Sequence, residues 1–171
     1  MKKTNRRFFI VLVLFLLVSS STQAFQTEPT TLIFVRHAEK VDDGTRNPPL
    51  SAEGKERAVN LYHTLSDYTI KAIYSTAYKR TKMTAQPIAD SLGLDIQEYG
   101  FDEISDFLTQ IIEENSGYTV LIVGHSNTTP SLTNMVLGTK EFEQIEESKY
   151  GDIFIVKTSE FGNGEVTLKE F

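Results

Sequence analysis

Residues 31–35 (TLIFV) and 119–123 (TVLIV) are continuous apolar, β-prone runs, the pattern of strands covered on both faces in a parallel sheet. Residues 71–75 (KAIYS) and 94–99 read as two further short strands. Helical periodicity fills the intervals. Ser51 is placed to cap a helix with Glu53 and Glu56 in its first turns and Ala58, Leu61 and Leu65 as its apolar stripe. A second helix is predicted from about Tyr78 to Leu92, stopped by Gly93, with Pro87 set to kink or split it. Asp102 or Ser105 starts a third, in which Ile104, Phe107, Leu108, Ile111 and Ile112 recur at helical spacing until residues 115–117 end it. A fourth helix ends near Gly138, and residues 152–157 and 164–170 flank a turn carrying Asn163-Gly164 as a hairpin.

This alternation predicts an α/β fold, a three-layer sandwich whose mainly parallel central sheet is flanked by helices and ends in an antiparallel hairpin. The stretch 40–50 (KVDDGTRNPPL) is rich in Asp, Gly, Asn and Pro and forms a loop. A chain of 171 residues with 40% apolar side chains suits one domain with a real core.

The first 24 residues differ from the rest. Lys2, Lys3, Arg6 and Arg7 precede an unbroken apolar run over residues 8–18, followed by small polar residues and Thr22-Gln23-Ala24. This is the layout of a secretory signal peptide cleaved after Ala24. The run is short for a membrane span, and the alternative is an uncleaved signal anchor, the one case in which the protein touches a membrane. The expected organisation is a signal peptide over 1–24, a linker over 25–30 and a domain over 31–171, exported to the periplasm or beyond. Losing the four basic side chains of the first 24 residues moves the formal charge from −6 to −10, which disfavours nucleic acid as a partner. The absence of cysteine excludes disulfides and thiolate metal sites and fits an oxidising compartment.

Two of the three histidines, His37 and His125, follow apolar strands directly, where open α/β sheets place their ligands. His63 lies on a helix flank and reads as an ordinary surface or half-buried side chain. The segment Leu32-Ile33-Phe34-Val35-Arg36-His37-Ala38-Glu39-Lys40 resembles the signature of the histidine phosphatase superfamily, with Ala38 where glycine is usual. Ser75-Thr76-Ala77-Tyr78-Lys79-Arg80-Thr81 resembles its second, arginine-bearing motif, and Val123-Gly124-His125-Ser126-Asn127-Thr128 its third. Three motifs in order over residues 31–157 are far more specific than any one of them.

The resemblance implies a phosphatase that needs no metal or other cofactor and acts on a small phosphorylated substrate. It implies that His37 is the nucleophile, while Arg36, Arg80 and a protonated His125 hold the phosphoryl oxygens. Asn127 is either a further phosphate donor or a helix cap, and Glu39 either orients Arg36 or Arg80 or is a surface carboxylate. For the proton donor the resemblance points to Asp102, with Glu103 as the alternative; short members of the superfamily also manage without such an acid. A metal hydrolase using His37 and His125 is disfavoured by Arg36 beside one ligand and by the lack of His-Glu-x-x-His or Asp-rich spacing. A non-catalytic phosphate-binding module is disfavoured by the joint presence of Arg36, His37, Arg80 and His125, and a mutase by the chain's shortness. Loops 40–50 and 139–149 shape the substrate pocket without naming the substrate, and oligomeric state is not legible.

If residues 1–24 are a cleaved signal, amino-terminal sequencing of exported protein will begin at Phe25; material beginning at Met1 would exclude cleavage.

Overall fold

The structure is a computed structural model that describes residues 28–171. The expected signal peptide, 1–24, and the start of the linker lie outside the described residues. Ten elements follow in chain order: β1 (Thr30–Arg36), α1 (Ala52–Thr64), β2 (Ile70–Ser75), α2 (Lys79–Leu92), β3 (Ile96–Glu98), α3 (Ile104–Glu114), β4 (Thr119–Gly124), α4 (Thr128–Leu137), β5 (Asp152–Thr158) and β6 (Glu165–Glu170). The first strand takes in Thr30, the last residue of the expected linker.

The six strands form one sheet in the order β3-β2-β4-β1-β5-β6. The first four are mutually parallel, while β5 runs antiparallel to β1 and β6 antiparallel to β5. Alternation along the strands feeds two cores. Leu32 and Phe34 of β1 and Val120 and Ile122 of β4 pack with α3 and α4, whereas Ile33, Val35, Leu121 and Val123 pack with α1 and α2. A sheet buried on both faces needs helices on both, and the three-layer sandwich expected from sequence is the result.

The helix ends obey local chemistry. Ser51 Oγ accepts the Gly54 amide at the start of α1, and Gly93 and Gly138 take left-handed conformations that close α2 and α4. Three expectations require correction. Pro87 does not split α2, which runs unbroken through it, because Thr84, Ala85, Ile88 and Ala89 on either side of the proline are buried and tie both halves to the core. The strand expected over 94–99 shrinks to the three residues of β3 at the sheet edge, paired on one side only. Neither Asp102 nor Ser105 caps α3; Glu103 occupies that position with φ +53° and makes no side-chain cap.

The start of α1 is docked on the chain just past His37. The Ser51 amide donates to the Glu39 carbonyl at 2.9 Å, and a Cβ on Gly54 would lie 2.1 Å from that same oxygen. Loop 40–50 is closed by a bridge between Lys40 and Leu50. Gly54→Ala should therefore destabilise the domain by about 1–3 kcal/mol through overpacking, although helix propensity alone favours alanine by about 1 kcal/mol. Thermal unfolding decides the sign, and a raised Tm would contradict the close approach.

Candidate active site

Because β1 and β4 pair in register, Arg36 stands opposite Gly124, and the His37 amide extends the ladder by donating to the Gly124 carbonyl at 2.9 Å. On the other flank of β4, Ser75 of β2 stands opposite Val123. The three segments singled out in the sequence thus leave the sheet side by side at one edge. His37, Arg80, His125 and Asn127 line a cavity of about 380 Å³ there, joined by Tyr78, Phe101, Lys40, Ser126, Thr128 and Glu147. Gly124 permits the turn into α4: a Cβ would lie 2.7 Å from Thr128 Oγ1 and 3.1 Å from the Tyr99 hydroxyl oxygen. Thr128 Oγ1 instead accepts the His125 amide at 2.9 Å.

His37 is buried, with 4% of its surface exposed. Its Nδ1 lies 2.8 Å from the Ala38 carbonyl oxygen. A carbonyl only accepts, so Nδ1 carries the proton and Nε2 keeps its lone pair. Burial, reinforced by the charges of Arg80 and Arg36 and by His125, overrides the opposing Ala38 hydrogen bond and pushes the imidazole pKa down to about 3. Ala38, in the position usually held by glycine, fits because its methyl packs with Leu50 and Ala58 and its amide donates to Thr84 Oγ1 at 3.0 Å.

Arg36 is also buried. Its Nη1 donates to the carbonyls of Glu146 and Lys149 at 2.8 and 2.7 Å, and its Nη2 to Glu147 Oε2 at 2.9 Å. The Tyr150 ring centroid lies 4.2 Å from the guanidinium carbon. Arg80 packs over Tyr78 at 4.5 Å and places Nη2 3.4 Å from His125 Nδ1. The Nε groups of both arginines are buried N–H donors without a protein acceptor.

The hydrogen-bond partners of His125 suit the neutral ring. A guanidinium only donates, so His125 Nδ1 faces Arg80 with its lone pair and Nε2–H donates to Thr76 Oγ1 at 3.0 Å. Burial first, then Arg80 and Arg36, push its pKa down to about 4. The rings of His37 and His125 meet edge to face with centroids 5.4 Å apart.

Of the remaining candidates, Asn127 holds the N-cap position of α4 without a side-chain cap and lines the cavity with its exposed side chain. Glu39 turns away from Arg36 and Arg80: Arg57 Nε donates to its two oxygens at 2.7 and 2.9 Å, and Arg57 Nη1 reaches the Phe171 carbonyl at 3.0 Å. Its place is in a brace that ties the carboxyl terminus to α1. Asp102 and Glu103 are exposed and do not line the cavity; their neighbour Phe101 does. His63 is exposed, as expected. Sequence reasoning missed Glu147, Tyr150 and Tyr78. Tyr78 had a signal, lying two residues before Arg80, whereas loop 139–149 gave none for Glu147.

Comparison with known proteins bears on the fold. The model of the histidine phosphatase superfamily (branch 1) matches residues 32–105. Phosphoserine phosphatase 1 of Hydrogenobacter thermophilus is 39% identical over 71 residues, 38% of this chain and 34% of that protein. The chain thus spans about a third of the length of that curated relative. The protein histidine phosphatase SixA complexed with tungstate superposes with a TM-score of 0.67 at 18% identity, covering 82% of this chain and 96% of that one. Bacillus stearothermophilus YhfR gives 0.64 at 18% identity, with 82% and 96% covered. At such identities the structural likeness establishes the fold.

Both site histidines should stay neutral well below the ordinary imidazole range. The ring C–H resonances of His37 and His125 should hold their neutral shifts down to pH 5, and titration of either near pH 6.5 would contradict the burial argument. Because the unfolded chain takes up protons at these positions from about pH 6.5 downward while the folded chain does not until about pH 3–4, stability must fall with pH through that window.

Proposed function

We propose that this chain, a member of the histidine phosphatase superfamily, is a phosphatase that hydrolyses small phosphate monoesters or phosphoramidates by way of a phosphohistidine on His37. The observation that carries the reading is a neutral imidazole with Nδ1 fixed on the Ala38 carbonyl, set beside two guanidiniums whose buried Nε groups have no protein acceptor.

Nε2 of His37 attacks phosphorus as the P–O or P–N bond to the leaving group breaks, and the leaving group takes its proton from solvent. Water then attacks the phosphohistidine, releasing inorganic phosphate and restoring neutral His37. Buried Arg36 and half-buried Arg80 bear permanent charge, which stabilises the equatorial oxygens of a phosphoryl transition state better there than in water. His125 lines the cavity, and an arriving dianion favours its protonation, which adds positive charge when phosphate is bound. Asn127 and the amino-terminal end of α4 add dipoles of the right sign at the rim. The activities named for phosphoserine phosphatase 1 and for the protein histidine phosphatase SixA bracket the substrate range this pocket is proposed to serve. Export by way of residues 1–24 belongs to the same proposal and places the activity outside the cytoplasm.

With p-nitrophenyl phosphate, His37→Ala should lower turnover by at least roughly 10³-fold and Arg80→Ala by roughly 10²- to 10³-fold, while wild-type turnover persists in a chelator. Appreciable turnover by His37→Ala would show the nucleophile to be another group.

A further inference from the structure

Glu147 is the one carboxylate among the residues that line the His37 cavity. Both of its oxygens are engaged, Oε2 by Arg36 Nη2 at 2.9 Å and Oε1 by the Ser126 hydroxyl at 2.8 Å. An anion therefore rests on the very guanidinium that the proposed reaction assigns to the phosphoryl group. We propose that Glu147 is an internal anion that competes with phosphate for Arg36, limiting the pocket's affinity for phosphate and speeding release of the product.

This inference rests on the phosphatase reading and concerns how its site is tuned. The partners of Arg36 differ in how readily they can be exchanged. The carbonyls of Glu146 and Lys149, which hold Nη1, are backbone groups and move only if the loop moves. Glu147 is bound by a side chain that is 71% exposed, against 2% for Arg36. It can rotate into water, where its charge is well solvated, and free Nη2 beside the unpartnered Nε. The hydrogen bond from Ser126, with Arg36, His37 and Lys40 nearby, holds its carboxyl below the usual carboxylate range, so it is an anion at neutral pH. A carboxylate and a phosphate dianion on one guanidinium repel each other, so each weakens the other's hold. After hydrolysis the same carboxylate returns to Arg36 as phosphate leaves. Anionic stabilisation by two donors makes Glu147 a poor proton donor, which separates this role from general acid catalysis.

The test is calorimetric titration of wild type, Glu147→Gln and Glu147→Ala with inorganic phosphate, alongside product inhibition of p-nitrophenyl phosphate hydrolysis. Both variants should bind phosphate roughly 3- to 30-fold more tightly, the range for losing a solvent-screened, charge-assisted contact that opposes binding, with KM and the phosphate inhibition constant falling in parallel. Unchanged or weaker phosphate binding in both variants overturns the proposal. So does a kcat loss confined to alkyl phosphates with unaltered phosphate affinity, which would make Glu147 a proton donor. Wild type that turns over substrate and binds phosphate no less tightly than the variants defeats the Glu147 inference alone, whereas wild type that neither binds nor turns over defeats the phosphatase reading beneath it.

Discussion

The site depends on the register of two parallel strands. With Arg36 opposite Gly124 and the His37 amide on the Gly124 carbonyl, the residues past β1 and β4 are forced into contact. The register is itself dictated by burial. Even-numbered residues of both strands fill one core and odd-numbered residues the other, so a slip of one position would send every apolar side chain to the wrong face. It would also exchange the directions of Arg36 and His37. The apolar pattern that stabilises the sheet and the geometry that aims the nucleophile are therefore one constraint.

Burial also sets the chemistry. The same withdrawal from water acts oppositely on the two residue types at the sheet edge. Imidazoles lose their protons, so His37 and His125 are bases at neutral pH, while guanidiniums stay charged whatever their surroundings. The pocket thus combines a neutral nucleophile with fixed positive charge, a pairing that two lysines could not guarantee because a buried ammonium gives up its proton. Backbone carbonyls and the Tyr150 ring keep Arg36 in place, and the Tyr78 ring lies under Arg80.

Local features were legible in the sequence wherever their causes were local. Ser51 started α1 through its hydroxyl, Gly93 and Gly138 closed α2 and α4 because the lack of a Cβ allows the left-handed turn, and the apolar runs marked β1 and β4 because both strands are covered on both faces. Arg36, His37, Arg80 and His125 were legible because each sits within a few residues of a strand end. What escaped depended on contacts between distant segments. Glu39 follows His37 in sequence but answers to Arg57, one face of α1 away. Glu147 meets Arg36 across more than half the chain through a loop with no periodicity to interpret. Pro87 signals a break only if the helix is free, and packing on both sides holds it. The protonation of His125 is a property of its burial, which no motif encodes.

The central claim is that Nδ1 of His37 is committed to the Ala38 carbonyl, so that only Nε2 can take the phosphoryl group. Rapid quenching in base during turnover of ³²P-labelled substrate, followed by digestion and separation of the two phosphohistidine isomers, tests it directly. The account predicts label on His37 as the Nε2-linked isomer. Label on Nδ1, on His125 or on no histidine at all would contradict it.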